Sequence, residues 1–144
     1  MICREIMQAT VRTCQSTDTA ARCADIMKTY DLGFLPVVDA DGKLLGAVTD
    51  RDIVLGVLAA KRTLQAHVSY IMREDVATCR CDDPLRFAED ELVRTGTSHV
   101  VVIDDHGRVV GVISLSDIGR VEDPARAGQV LGAIVRGRPP CEVE

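Results

Sequence analysis

Tryptophan is missing from this 144-residue chain, and two tyrosines and two phenylalanines are its only aromatic residues. An aromatic share of 3% excludes a core of stacked rings, so Val, Ile, Leu, Ala and Met must fill it. No apolar stretch approaches the roughly 20 residues that span a bilayer as a helix. Runs of Lys and Arg are missing too, and the formal charge is −5. That balance, with no aromatics interleaved among basic residues, argues against a nucleic-acid backbone as a partner. The opening MICREIMQAT has an early acidic residue and no apolar run, unlike a signal peptide, so a cytosolic location is expected. Six cysteines are present (Cys3, Cys14, Cys23, Cys79, Cys81 and Cys141), but with no sign of secretion they are expected to be reduced and to act as small hydrophobes. Cys79-Arg80-Cys81 has no second Cys or His pair at zinc-site spacing, so no metal is expected. The chain has no nucleophile placed with a base and no Walker-type phosphate loop, which argues against an enzyme.

What the chain does have is itself, twice. Residues 33–54 read GFLPVVDADGKLLGAVTDRDIV, and residues 96–119 read GTSHVVVIDDHGRVVGVISLSDIG. Asp39 recurs at Asp104, Gly42 at Gly107, Gly46 at Gly111, Thr49 at Ser114 and Asp52 at Asp117, a constant offset of 65 residues. The register reaches back to Ile6-Met7 and Ile71-Met72, and to Thr13 and Thr78. So long a repeat predicts two copies of one supersecondary unit related by a pseudo-two-fold axis, here residues 1–62 and 63–144.

Each copy reads β-α-β-β-α, an α/β (α+β) fold. In the first, an extended segment at Thr13–Thr17 precedes a helix capped by Asp18 or Thr19, with Ala20, Cys23, Ala24 and Met27 on one face and Gly33 at its end. Leu35–Asp39 and Leu44–Val48 form a hairpin about Asp41-Gly42. A helix from Thr49 or Asp50 to about Ala60 places Ile53, Val54, Val57 and Leu58 on one side. In the second copy Asp83-Pro84 opens a helix faced by Leu85, Ala88 and Leu92. Val100–Ile103 and Val109–Ile113 flank the His106-Gly107 turn, and Ser114 starts a helix. Beyond Arg120, Asp123-Pro124 signals a further helix over 125–135, and the tail from Gly137 through Pro139-Pro140 is expected to fray.

Chemistry concentrates at the strand-to-helix junctions, Gly46-Ala47-Val48-Thr49-Asp50-Arg51-Asp52 and Gly111-Val112-Ile113-Ser114-Leu115-Ser116-Asp117. Glycine permits close backbone approach, a hydroxyl at a helix N-terminus lies among free N–H groups, and an Asp one turn later can accept from vicinal sugar hydroxyls. Together these suit a phosphate joined to a ribose. The same residues also fit a capping box that only satisfies the helix start. Arg51 suits a phosphate or a neighbouring carboxylate equally. Phe34 suits the core or a base-stacking platform.

The two copies resemble CBS domains, and the pair resembles a Bateman module, over roughly residues 4–120. The resemblance rests on Ile6-Met7 and Ile71-Met72, on Leu35-Pro36-Val37-Val38-Asp39 with Asp41-Gly42, on Gly46 to Ile53, and on Gly111 to Ile118. It implies a regulatory, signal-transducing module, without catalysis or a required cofactor, that takes an adenine nucleotide or related adenosine compound (AMP, ADP, ATP, NAD or S-adenosylmethionine) as regulatory ligand. Energy sensing is one such role. It further implies one cleft joining Ser114, Ser116 and Asp117 to Gln15, Ala20, Leu32 and Phe34, and another joining Thr49, Arg51 and Asp52 to Arg80, Leu85 and Thr97. Val112 and Ala47 would offer backbone contacts to the base, and His99 stands where relatives place a phosphate-contacting basic residue, although a His at a strand start is also an ordinary half-buried residue. Disc-like homodimers and a downstream protein are the implied partners. The chain departs from the pattern at Ser16 and Asp82, which replace the usual Pro, and at Val101, Leu115 and Ser116. The two clefts should therefore differ in charge. The alternative is an assembly protein whose clefts stay empty.

Overall fold

The structure is a computed structural model that describes residues 1–137. The readings on Pro139, Pro140 and Cys141 lie outside the described residues. By compactness the chain divides into two units. Unit 2 comprises Thr10–Val76 and Ile103–Val109, and unit 1 comprises Met1–Ala9, Ala77–Val102 and the chain from Val110 on. These units do not coincide with the sequence repeats: the opening nine residues pack with the second copy, and residues 63–76 pack with the first.

In unit 2, β1 (Cys14–Gln15) lies parallel to β2 (Phe34–Val38), which pairs antiparallel with β3 (Leu44–Thr49). The hairpin turn needs Gly42, whose φ of +82° lies in the left-handed region. Asp39 secures that turn, its Oδ1 accepting from the Asp41 and Lys43 N–H groups at 2.9 Å each. Helix α1 (Ala20–Tyr30) is capped by Thr19, whose hydroxyl accepts from the Arg22 N–H, while Asp18 closes the preceding turn on the Gln15 N–H. The helix ends at Asp31 in the left-handed conformation, three residues before strand β2 and ahead of Gly33. Its buried face is Ala20, Cys23 and Met27, and Ala24 is exposed.

The helix expected after Thr49 is α2 (Asp50–Ile53) followed by a π-helical turn, Val54–Leu58, with the Ala59 N–H reaching the Val54 carbonyl. The wider turn rotates the apolar stripe. Val57 is buried, while Val54 and Leu58 are exposed, contrary to the 3.6-residue reading. Gly56 permits this packing, because a Cβ there would stand 2.6 Å from Cγ2 of Ile71.

Unit 1 holds β4 (Thr78–Arg80), β5 (His99–Ile103) and β6 (Val109–Ser114), in that sheet order. The β5–β6 turn, residues 103–109, belongs to unit 2, where Leu44 N–H donates to the Gly107 carbonyl and Val109 N–H to that of Gly42. Helix α3 (Leu85–Thr95) buries Leu85, Ala88, Glu89 and Leu92. Pro84 is its N-cap and not a first-turn residue, because its ψ of 142° is extended. Helix α4 (Leu115–Val121) follows β6, and α5 (Pro124–Arg136) starts at Asp123, which caps it by accepting from the Arg126 N–H. The buried apolar residues of both units are aliphatic, cysteine or methionine among the described residues, with Phe34 half-buried and Phe87 exposed.

Candidate ligand-binding site

The two strand-to-helix junctions fold alike. In unit 1, Ser114 leaves β6 with extended dihedrals and becomes the N-cap of α4. Its Oγ accepts from the Asp117 N–H at 3.1 Å and donates to Asp117 Oδ2 at 2.8 Å, while its N–H donates to the same oxygen at 2.8 Å. In unit 2, Thr49 Oγ1 accepts from the Asp52 N–H at 3.1 Å, and the Thr49 N–H donates to Asp52 Oδ2 at 2.9 Å. Each is a complete capping box.

A further residue, not anticipated from the sequence, closes each box. Gln8 Nε2 donates to both Asp117 oxygens, at 3.1 and 3.2 Å, and Arg120 Nη1 donates to Oδ1 at 3.0 Å. Arg73 Nε donates to Asp52 Oδ1 at 3.1 Å. Gln8 and Arg73 are themselves equivalents in the repeat, each directly after the Ile-Met pair. That offset was the available signal, but nothing in the sequence said that the segment would lie along the junction. It does so through a two-bond bridge: Gln8 exchanges N–H and carbonyl with Val112, and Arg73 does the same with Ala47.

The bridge accounts for the junction glycines. A Cβ on Gly46 would stand 2.5 Å from the Arg73 carbonyl oxygen, and one on Gly111 would stand 2.8 Å from Met7 Sδ. The close approach these glycines permit is that of the chain's own Ile-Met segment. The N–H groups of Ala47 and Val112 are spent on the same bridge.

Burial alone would push the Asp117 carboxyl up. The bonds from Ser114, Gln8 and Arg120 outweigh it, and the group is held below the usual carboxylate range. Asp117 is thus a nearly buried acceptor, 7% exposed, that is ionised at neutral pH. Each carboxylate has a guanidinium partner, Arg120 at Asp117 and Arg73 at Asp52, and the junctions differ in that Asp117 also takes the neutral Gln8 amide. Arg51 lies exposed beside the second, with no ion-pair partner for its guanidinium among the described residues.

The other candidates lie in their own units as follows. Ser116 is exposed on the first turn of α4, and Val112 sits at the bridge. Thr97 Oγ1 lies 2.8 Å from Thr95 Oγ1, and His99 begins β5 with Nδ1 3.3 Å from Ser98 Oγ. Arg80 is exposed at the end of β4, and Leu85 is a core residue of unit 1. In unit 2, Gln15 and Leu32 are exposed, Phe34 is half-buried, and Ala20 and Ala47 are buried.

The model of the family described as CBS domain matches residues 3–59 and 68–121. Hypoxic response protein 1 of Mycobacterium tuberculosis is 33% identical over 122 residues, covering 81% of this chain and 82% of that protein. The L-aspartate semialdehyde sulfurtransferase of Methanocaldococcus jannaschii is 30% identical over 118 residues, 82% of this chain, yet the chain spans only 22% of that enzyme. Among solved structures, the CBS domain pair of protein MJ0100, in complex with 5-methylthioadenosine and S-adenosyl-L-methionine, is similar with a TM-score of 0.76 and 30% identity, covering 84% of this chain and 94% of that one.

Proposed function

The chain belongs to the CBS domain family, present in two copies, and from that premise we propose that it is a regulatory module that binds an adenosine compound at the Ser114–Asp117 and Thr49–Asp52 junctions. The observation that carries the reading is the ionised, nearly buried Asp117 with a hydroxyl residue three positions before it, a spacing that recurs at Thr49 and Asp52. A carboxylate so placed accepts from a ribose diol, whose two hydroxyls would take the place of the Gln8 amide. The related CBS pair of protein MJ0100, named for its complex with 5-methylthioadenosine and S-adenosyl-L-methionine, supports the ligand class.

The exposed arginines separate the two junctions in this proposal. Arg73 and exposed Arg51 at Asp52 favour a ligand with phosphates, and His99 and Arg80 are the further phosphate candidates. At Asp117 the one neighbouring cation described, Arg120, is engaged by the carboxylate itself, and Gln15, Leu32 and Phe34 are retained as candidates for the base. Regulation follows by linkage, because a ligand preferring one conformation shifts the population by its differential affinity. A homodimer is part of the proposal. Val54, Leu55 and Leu58 on the π-helical turn, and Val121, Leu131 and Val135 on α4 and α5, are exposed apolar side chains that an interface would cover. The enzymatic activity in one relative's name belongs to a chain of which this one spans 22%, and we assign no catalysis to the CBS pair.

A second reading has an observation of its own. Both carboxylates already accept from a complete cap and from Gln8 or Arg73, so the junctions could serve structure alone, in an assembly protein. Thermal unfolding with AMP, ADP, ATP, NAD and S-adenosylmethionine in turn separates the two. A ligand at ~100 times its dissociation constant stabilises by about 2.7 kcal/mol, a rise of roughly 5–10 °C for a chain of this size. The ligand-sensing reading expects that rise with at least one compound and its loss in Asp117→Ala or Asp52→Ala. No rise with any compound, in protein freed of carried-over nucleotide, gives the assembly reading the field.

A further inference from the structure

The two junction carboxylates are equally buried but not equally engaged. The side chains of Asp117 and Asp52 are 8% and 9% exposed. An ionised carboxylate offers about four acceptor positions, two on each oxygen. Asp117 already accepts five bonds. On Oδ2 they come from the Ser114 N–H and hydroxyl, at 2.8 Å each, and from Gln8 Nε2 at 3.2 Å. On Oδ1 they come from Arg120 Nη1 at 3.0 Å and from the same Gln8 nitrogen at 3.1 Å. Asp52 accepts two from the described residues, the Thr49 N–H on Oδ2 at 2.9 Å and Arg73 Nε on Oδ1 at 3.1 Å. Each oxygen of Asp52 therefore keeps a vacant acceptor position, and Asp117 keeps none.

A ribose diol places one hydroxyl on each oxygen of a carboxylate. Asp52 can accept it with Thr49 and Arg73 still in place. At Asp117 the positions are taken. Gln8 Nε2 spans both oxygens as the diol would, and like the diol it is neutral. The main chain of Gln8 is fixed, its N–H donating to the Val112 carbonyl at 2.9 Å and its carbonyl accepting from the Val112 N–H at 3.1 Å. The residue is nevertheless exposed, so its side chain can rotate into water without breaking that bridge. With the amide away, a position opens on Oδ1. Rotation of the Ser114 hydroxyl opens another on Oδ2, while its oxygen goes on accepting from the Asp117 N–H.

We propose that Gln8 is a built-in competitor for ligand at Asp117, so that the Asp52 junction takes the adenosine compound first and the Asp117 junction fills only as Gln8 swings out. This rests on the adenosine reading of the junctions and adds the order of filling and the residue that sets it. Affinity at Asp117 is reduced by the fraction of time the carboxylate is open. A contact closed about nine-tenths of the time raises the apparent dissociation constant about tenfold. Arg73, the equivalent of Gln8 in the repeat, meets one oxygen of Asp52 and leaves room beside it, so it is no such competitor.

The test follows backbone amides of the isotope-labelled full chain, freed of carried-over nucleotide, by nuclear magnetic resonance during titration with AMP, ADP, ATP, NAD and S-adenosylmethionine in turn. Ala47 and Thr49 report the Asp52 junction, and Val112 and Ser114 report the Asp117 junction. In the wild type, Ala47 and Thr49 should shift at the lower ligand concentration. Gln8→Ala, and Gln8→Met, which keeps the length without the donor, both retain the main-chain bridge to Val112. Each should lower the midpoint at Val112 and Ser114 by about tenfold and leave that at Ala47 and Thr49 unchanged. Arg73→Ala should lower neither midpoint. Val112 and Ser114 responding first in the wild type, Gln8 variants that bind there no more tightly, or a matching fall at Ala47 and Thr49 in Arg73→Ala would each overturn the competitor and leave the adenosine reading standing. No shift at either junction with any compound, in wild type and variants alike, overturns the adenosine reading and the competitor with it.

Discussion

Asp117 has a depressed pKa because the fold supplies donors to its carboxylate, and that makes it a stability residue whatever it binds. Its folded pKa lies below the unfolded value of about 3.9, so the folded state gains from the ionised form. The stabilisation is fully present above the unfolded pKa and is lost as pH falls through the folded one. Denaturant titrations of the wild type and Asp117→Asn should therefore differ by a constant amount from neutral pH down to about 5 and converge below about 4. A gap that persists unchanged in acid would contradict this account. Gly46 presents the opposite case, a residue defined by what it leaves out. Adding a Cβ brings it to 2.5 Å from a backbone carbonyl that is itself fixed by the Ala47–Arg73 bridge. Gly46→Ala should cost about 1–3 kcal/mol. Gly111→Ala should cost less, because the flexible end of Met7 can move aside. Equal losses would mean that the bridge is softer than its geometry.

Helix α5 docks by an interaction that the sequence pattern hides. Glu89 on α3 is fully buried, and its Oε2 accepts from Nε of Arg126 at 2.9 Å and from Nη2 of the same guanidinium. Burial raises the Glu89 carboxyl, Arg126 lowers it, and neighbouring Glu122 raises it further, with a net upward shift. Because the folded pKa is raised, its contribution favours the fold at low pH and weakens as pH rises through that value. Removing only the cation leaves a buried carboxylate without a partner, which costs about 3–5 kcal/mol. Arg126→Leu should thus destabilise strongly at neutral pH, and the double variant Glu89→Leu/Arg126→Leu should recover most of the loss in urea unfolding. If the double variant is as weak as the single, the pair is packing and not charge. The apolar face read for α3 held Leu85, Ala88 and Leu92, all buried, because apolar spacing is a local signal. It could not place Glu89 inside, since a carboxylate is buried only by a partner from a helix 37 residues on. The π-helical turn escaped for a similar reason: it follows from Gly56 meeting Ile71, a tertiary contact.

At the scale of the chain, the repeat made both hairpins, both caps and both junction carboxylates readable, because each is built within about 25 residues of sequence. It concealed the partners of those carboxylates. Gln8 and Arg73 reach them from the segment before each copy's first strand, so the compact units are not the repeats. Unit 1 needs Met1–Ala9 for the bonds of Cys3 and Arg4 to residues 81–83 and of Gln8 to Val112 and Asp117. Unit 2 needs residues 63–76 for buried Val68, for the bonds of Ala20 and Ala21 to the Ala66 and Leu64 carbonyls, and for Arg73 on Asp52. Cutting between the repeats at residue 62 therefore removes from each half the segment that closes its junction. Fragments 1–62 and 63–144, expressed separately, should each lack a cooperative thermal transition. Fragment 10–76 keeps the Arg73–Asp52 closure and should show more protected amides than fragment 1–62, although it is only slightly longer. Mixing 1–62 with 63–144 should restore protection at Gln8 and Val112, because the opening segment docks through backbone bonds that need no covalent continuity. If 63–144 alone unfolds cooperatively at the temperature of the intact chain, the opening segment is dispensable to unit 1, and Gln8 is an ornament of the junction and not part of its closure.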